Sequence, residues 1–167
     1  MIQVYTGNGK GKTTAALGLA LRACGAGMRV YIAQFAKGRN TSELNSLRKL
    51  PRVKLEQFGC GCFIRKKPTP KQAELARQGF ARIVENARKG AYDLMVIDEI
   101  LVALNLGLLE LTEVTAFLND FSGKCELVLT GRDCPKEIVK LADLVSEVKE
   151  IKHYYKKGIP ARKGIEF

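Results

Sequence analysis

The chain has 167 residues, of which 46% are apolar and 27% are charged, and its formal net charge is +11. This length suits one ordinary hydrophobic core, so we predict a single domain over residues 1–167. No stretch approaches the roughly 18 consecutive apolar residues of a membrane span, and no secretory pattern precedes the first motif, which favours a cytoplasmic protein without a membrane partner. The odd number of cysteines, five, argues against a disulfide-stapled scaffold.

The excess of positive charge favours an anionic partner, which could be a polyphosphate, a carboxylate- or phosphate-bearing small molecule, or nucleic acid. Charge alone does not choose among them, and an ordinary solvated basic surface accounts for it equally well. Because no signature of a nucleic-acid-binding fold is present, we rank nucleic acid last among these partners.

The first third of the chain reads as a strand, a loop, a helix and a second strand. Residues 2–5 predict a short strand, residues 6–12 are rich in glycine, and apolar residues then recur at helical spacing over residues 13–24. Residues 30–35 are apolar again and predict the second strand. This order is that of a βαβ unit with parallel strands.

The middle of the chain carries two helix starts and one strand. Asn40, three residues before a glutamate, predicts the start of a short helix, and residues 53–58 predict the third strand. Thr69 and Gln72 have the spacing of a capping box, which predicts a longer helix that ends at Gly90.

Two continuous apolar runs mark the second half, at residues 94–97 and 127–130, and each predicts a strand buried on both faces. Two helical segments lie between them, and Thr112 is the predicted cap of the second. Pro135 suits the first turn of a further helix, and residues 144–152 predict a last strand.

The alternation of strands and helices predicts an α/β fold. Such a fold has a mostly parallel sheet with helices on both faces, and its ligand loops lie at the carboxyl ends of the strands.

Residues 6–13, with the sequence TGNGKGKT, closely match a P-loop, in which backbone N–H groups and a helix N-terminus surround phosphate oxygens. Lys12 adds a point charge, and the Thr13 hydroxyl suits Mg²⁺. Thr6 stands where the general pattern has glycine, so that the loop counted from glycine is one residue short, and Lys10 adds a second cation. A phosphate site is the interpretation that we favour over a glycine-rich turn without function. Together with the alternation of strands and helices, this motif predicts that the α/β fold is of the P-loop NTPase-like (RecA-like) kind.

Asp98 and Glu99 follow the buried run 94–97, at the sheet edge where the phosphate loop is expected. They predict a site for Mg²⁺, which prefers carboxylate oxygens, although two acids after a strand also suit a helix cap. The sequence leaves open which of the two binds the metal directly.

Arg132 follows the other buried run and is predicted to reach the same edge, where it could bind phosphate bidentately. His153 lies in the basic and aromatic segment 152–157, which suits stacking on a planar ligand or on bases, or is simply the end of a surface strand.

The order of the motifs resembles that of the corrinoid adenosyltransferases of the CobA/CobO/BtuR type, and the likeness covers nearly the whole chain. The matching segments are GNGKGKTTAA at 7–16, QFAK at 34–37, DEI at 98–100, LTGR at 129–132, ADLV at 142–145, IKH at 151–153 and KGIEF at 163–167.

The resemblance implies a reaction in which a reduced cobalt(I) corrinoid attacks C5′ of ATP and the intact triphosphate leaves. It implies that Lys10, Lys12 and Mg²⁺ stabilise the leaving triphosphate, and that Glu99 and Thr13, with Asp98 beside them, hold the metal. Phe63 is the candidate to replace the family's Phe and Trp pair, which displaces the lower axial ligand of cobalt. The nucleotide- and corrinoid-binding residues that it implies are Gly7, Asn8, Gly9, Lys10, Gly11, Lys12, Thr13, Thr14, Arg132 and Phe63.

The resemblance also implies a homodimer and a flavoprotein reductase as partner. It leaves open whether the acceptor is cob(I)alamin or cob(I)yrinic acid a,c-diamide, and whether the protein serves synthesis or salvage. Two other functions remain: a P-loop ATPase or kinase that acts at the γ-phosphate, and a nucleic-acid-binding module that ATP switches.

Overall fold

The computed structural model describes residues 1–36, 41–59 and 68–167, and in that part of the chain six strands form one parallel sheet. Their order across the sheet is β3-β2-β4-β5-β1-β6. The strands are β1 (Ile2–Thr6), β2 (Val30–Phe35), β3 (Val53–Phe58), β4 (Leu94–Asp98), β5 (Glu126–Thr130) and β6 (Leu144–Glu147). The helices are α1 (Lys12–Gly25), α2 (Ser42–Leu47), α3 (Pro70–Lys89), α4 (Ile100–Asn105), α5 (Leu111–Asn119), α6 (Lys136–Leu141) and a 3-10 helix at Tyr154–Lys157.

Helices cover both faces of the sheet, as predicted. Successive residues of a strand point to opposite faces, and in β2 the side chains of Val30 and Ile32 pack with α1 and α2, whereas those of Tyr31 and Ala33 pack with α3 to α6. Every residue of β2 and of β4 is therefore buried. This pattern confirms the prediction of an α/β fold of the P-loop NTPase-like kind with a parallel sheet.

Helix α3 begins and ends at the residues that the sequence predicts. The Thr69 hydroxyl accepts a hydrogen bond from the Gln72 backbone N–H at 3.3 Å, and the Gln72 side-chain oxygen accepts one from the Thr69 N–H at 2.8 Å. At the other end, Gly90 takes the left-handed conformation, with φ of 59°. The capping box is thus confirmed.

The predicted helix starts at Asn40 and Thr112 have different outcomes. Asn40 lies outside the described residues, and the residue that precedes α2 is Thr41. The prediction that Thr112 caps α5 is wrong, because the helix begins at Leu111 and Glu110 is its N-cap residue. Glu110 is extended, with φ of −85° and ψ of 134°, so that Leu109 and Leu111 on either side of it both face the core, and the helix begins directly at Leu111.

The predicted last strand over residues 144–152 is too long, because β6 ends at Glu147. Among the described strands it pairs only with β1, which itself ends at Thr6. Val148 then turns toward the loop that follows β1, and its carbonyl accepts a hydrogen bond from the Gly9 N–H at 2.7 Å. None of the described helices combines the length and the apolarity that a membrane crossing needs.

We expect Thr69→Ala to lower the free energy of unfolding by about 1 kcal/mol, because it removes the side-chain half of the capping box. Thr112→Ala is the matched control: it removes a threonine from the first turn of a helix without removing a cap, and it should change stability by less than about 0.5 kcal/mol. Urea unfolding of the two variants measures the difference, and equal losses would contradict this account of the helix starts.

Candidate nucleotide-binding site

The phosphate loop, residues 7–11, joins β1 to α1 at the carboxyl edge of the parallel sheet. Gly7 and Gly11 have φ of 104° and 119°, in the left-handed region that favours glycine. Gly11 is the N-cap residue of α1 and has no side chain to cap the helix, and the first turn of the helix carries no acidic residue. The first N–H groups of α1 therefore point into the loop, which is the arrangement that binds an anion.

The loop packs closely against the chain just after β6. A Cβ atom added at Gly7 would lie 2.5 Å from the Val148 carbonyl oxygen, and one added at Gly9 would lie 2.8 Å from the carbonyl oxygens of Val148 and Lys149. Glycine is required at both positions for this backbone approach. The contact with Val148 in turn holds the loop against the chain that follows β6.

Lys12 is buried, with 8% of its surface exposed, and its ammonium donates a hydrogen bond to the Gly9 carbonyl at 2.8 Å. Burial lowers the pKa of Lys12, and the positive charge of Arg132 lowers it further, while Glu99 and Asp98 oppose that effect. An anion bound in the loop would offset both the burial and the repulsion.

The buried carboxylate of Asp98 joins the loop to the middle of the sheet. Its Oδ1 accepts hydrogen bonds from the hydroxyls of Thr13, at 2.8 Å, and Thr130, at 2.7 Å. Its Oδ2 accepts one from the Gln34 amide at 3.2 Å, and the Gln34 oxygen accepts one from the Gln57 amide at 3.1 Å. Two of the predicted magnesium residues, Thr13 and Asp98, are therefore in direct contact.

Glu99 differs from Asp98 in both conformation and exposure. Its backbone takes the left-handed conformation, with φ of 60°, and its N–H donates to the Thr130 hydroxyl at 2.9 Å. It is the N-cap residue of α4 but makes no side-chain cap hydrogen bond, so the cap interpretation does not explain it. A left-handed non-glycine residue costs conformational energy, and here that conformation accompanies a carboxylate that lines the cleft.

The residues over the sheet edge line a cleft of about 1080 Å³, which is large enough for a nucleotide. Most of the predicted binding residues line it, namely Asn8, Gly9, Lys10, Gly11, Lys12, Thr13, Thr14, Glu99 and Arg132. Gly7 and Asp98 are not among the lining residues, and Phe63 lies outside the described residues.

The structure also shows what surrounds two predicted residues in the cleft wall, Arg132 and His153. The Arg132 carbonyl accepts a hydrogen bond from the Asn105 amide at 2.9 Å, which fixes the backbone from which its exposed side chain extends. His153 caps the 3-10 helix, because its Nδ1 accepts a hydrogen bond from the Tyr155 N–H at 3.1 Å.

Reasoning from the sequence missed Gln57 as a member of the site and named Gln34 and Thr130 only within family motifs. The available signal was a polar residue in or at the end of a buried apolar strand. Gln34 is fully buried within β2, and Thr130 is fully buried at the end of β5. A buried polar side chain needs a partner, and in both cases the partner is Asp98.

The protein is a P-loop NTPase-like α/β protein, because Lys12 and Thr13 lie at the start of the helix that follows the phosphate loop and Asp98 lies on a strand at the same sheet edge. The family model described as ATP:corrinoid adenosyltransferase BtuR/CobO/CobP matches residues 1–167. The chain belongs to this family.

Its relatives include the corrinoid adenosyltransferases of Escherichia coli (strain K12) and Pseudomonas aeruginosa, which are 32% and 36% identical over 167 and 173 aligned residues. The corrinoid adenosyltransferase CobA of Salmonella typhimurium is 33% identical over 167 residues. In each case the alignment covers 100% of this chain, and it covers 85%, 83% and 85% of the three relatives in that order.

We expect Gly9→Ala to lower the free energy of unfolding by about 1–3 kcal/mol, because the added Cβ would force apart two backbone segments that are in contact. Gly25→Ala is the control, since nothing lies within 4 Å of its added Cβ; it should leave stability unchanged or raise it by up to about 1 kcal/mol. Denaturant unfolding measures both, and a neutral Gly9→Ala would refute the close approach of loop and strand end.

Proposed function

We propose that the protein transfers the 5′-deoxyadenosyl group of ATP to the cobalt of a reduced corrinoid and releases triphosphate. The observation that carries this proposal is the phosphate loop, with its buried Lys12 and the Thr13–Asp98 hydrogen bond, in a chain that matches the adenosyltransferase family over its full length.

In the proposed reaction, the cobalt(I) electron pair forms the bond to C5′ of ATP, and the C5′–O bond breaks. The electron pair of that bond leaves with the triphosphate, so negative charge grows on the oxygen next to C5′. No protein nucleophile or general base is needed, and catalysis comes from fixed charges and N–H donors around the leaving group. The loop N–H groups, the α1 N-terminus and Lys12 supply these donors.

The donor set at the sheet edge fits Mg²⁺, which prefers hard oxygen ligands. We propose that the Glu99 carboxylate and the Thr13 hydroxyl bind the metal, because Glu99 lines the cleft, whereas Asp98 lies behind it and accepts hydrogen bonds from Thr13 and Thr130. Asp98 then orients the Thr13 hydroxyl. Bound Mg²⁺ would neutralise part of the charge of the triphosphate.

We also propose a cytoplasmic homodimer that receives its corrinoid in the cobalt(I) state with the help of a flavoprotein reductase. The edge strand β6 exposes Leu144 and Val145, an apolar surface that a second copy could cover. The cysteines of the described residues, Cys24, Cys125 and Cys134, are free thiols, which suits a reducing compartment.

The first experiment is anaerobic and mixes the protein with MgATP and chemically reduced cob(I)alamin or cob(I)yrinic acid a,c-diamide. A light-sensitive adenosylcorrinoid with equimolar triphosphate supports the proposal and identifies the better acceptor. If neither corrinoid is adenosylated while ATP yields ADP and inorganic phosphate, the proposal fails, and the protein acts at the γ-phosphate instead.

We expect Lys12→Ala to lower the adenosylation rate by at least about a hundredfold, because it removes a principal charge from the leaving group. Lys89→Ala removes an exposed lysine that pairs with Glu85 on α3 and should leave the rate unchanged. Initial rates at saturating substrates measure the effect. Near-normal activity of Lys12→Ala would show that the triphosphate binds elsewhere.

We expect Glu99→Gln to raise the Mg²⁺ concentration for half-maximal activity by about tenfold or more, because a neutral amide is a weaker ligand than a carboxylate. Saturating Mg²⁺ should restore part of the activity. A Mg²⁺ titration of the rate, with Glu85→Gln on α3 as the control, tests this assignment, and an unchanged midpoint would exclude Glu99 as a direct ligand.

A further inference from the structure

The second lysine of the phosphate loop, Lys10, is bound to the C-terminal part of the chain. Its ammonium donates to Glu166 Oε1 at 2.7 Å, to the Ile165 carbonyl at 2.9 Å and to the Tyr154 hydroxyl at 3.1 Å. An ammonium has three N–H donors. All three are therefore directed to residues 154–167, a segment that we name the strap.

Glu166 also holds the strap together. Its Oε1 accepts a hydrogen bond from the Tyr154 hydroxyl, and its Oε2 accepts one from the Arg162 N–H at 2.7 Å. The Arg162 guanidinium lies 5.0 Å from the centre of the Tyr154 ring. The hydrogen bond from Lys10, followed by that from Tyr154, holds the pKa of Glu166 well below its usual range, so this carboxylate is ionised at neutral pH.

The strap forms one wall of the cleft and reaches across it. Its far end is attached to α2, because the Ser42 hydroxyl donates to the Phe167 carbonyl at 3.0 Å. The side chains of Tyr155, Ile165 and Phe167 line the cleft and are 75%, 58% and 46% exposed. An exposed apolar surface inside a cleft indicates a ligand part that is itself planar or apolar.

We propose that Lys10 and Glu166 are positioning residues, whose ion pair fixes the strap as the wall that binds the nucleoside part of ATP. The proposal rests on the proposed function, because it takes a nucleoside triphosphate as the ligand of the cleft. Lys10 then acts through the strap, and Lys12 is the lysine that faces the phosphates. This role differs from the one that the family resemblance implies for Lys10.

A direct phosphate contact by Lys10 leads to the opposite expectation. The strap would then have to release Lys10 when ATP binds, and Glu166 would compete with the triphosphate for the same ammonium. Removing the Glu166 charge would tighten the binding of any polyphosphate. A positioning role instead predicts that ATP binds more weakly while inorganic triphosphate does not, since inorganic triphosphate has no nucleoside to contact the wall.

The test compares MgATP with magnesium tripolyphosphate by calorimetry or by competition, with no corrinoid present. We expect Glu166→Gln to raise the Kd for ATP by about fivefold or more, the scale of a charged hydrogen bond that is partly exposed. The Kd for tripolyphosphate should not rise by more than about twofold, a change smaller than the loss of one such bond. Tyr154→Phe should show the same selectivity with a smaller effect.

The double variant Lys10→Met/Glu166→Gln removes both charges and so keeps the net charge of the pair. We expect it to weaken ATP binding no more than Glu166→Gln alone, because two residues that act through one link are not additive. Glu85→Gln, which breaks the Glu85–Lys89 pair on α3, is the control and should change neither Kd.

Limited trypsin digestion reports on the strap itself, since Arg162 and Lys163 are exposed cleavage sites. Cleavage at these sites should be faster in Glu166→Gln than in the wild type, and ATP should slow it in the wild type. A variant that has lost its fold is recognised because it no longer binds tripolyphosphate and unfolds at a lower temperature.

Three results would each overturn the positioning role. They are tighter tripolyphosphate binding by Glu166→Gln, an unchanged Kd of Glu166→Gln for ATP, and equal losses of affinity for the two ligands in the double variant. Failure of the proposed function is distinguishable from these results. It would appear as absent adenosyl transfer by the wild type, whereas selective loss of ATP binding in Glu166→Gln would still establish the strap as a nucleoside-binding wall.

Discussion

The site depends on one buried carboxylate, that of Asp98. A carboxylate without water must be surrounded by hydrogen-bond donors, because the cost of burying it unpaired exceeds what one contact contributes to stability. Asp98 meets this requirement with Thr13 at the start of α1, Thr130 at the end of β5 and Gln34 in β2. Asp98 therefore holds three parts of the protein in one arrangement: the helix that follows the phosphate loop, the strand before Arg132 and the middle of the sheet.

The two lysines of the loop have opposite electrostatic surroundings although one residue separates them. Burial and the charge of Arg132 lower the pKa of Lys12, whereas the hydrogen bonds with Glu166 and Tyr154 raise that of Lys10. The loop thus directs one cation inward, where a bound anion would relieve its repulsion, and the other outward to a carboxylate. In the roles that we propose, Lys12 binds the phosphates and Lys10 fixes the strap.

Local patterns predicted those elements whose limits are local. The capping box at Thr69 was found correctly because its two hydrogen bonds join residues three apart, and β4 was found because a strand buried on both faces is continuously apolar. The start of α5 and the end of β6 were wrong. Packing of Leu109 and Leu111 decides the first, and the contact of Val148 with Gly9 decides the second.

We could recognise the phosphate-loop motif, the acids after β4 and the family from the sequence, because each is a contiguous motif or an ordered set of motifs along the whole chain. The three-dimensional fold was needed to show that Gln34 and Thr130 complete the surroundings of Asp98, that Glu99 rather than Asp98 lines the cleft, and that Lys10 pairs with Glu166. Lys10 and Glu166 are 156 positions apart. Contacts between such distant residues are set by how strands are ordered in the sheet and where the chain returns, and no local periodicity encodes them.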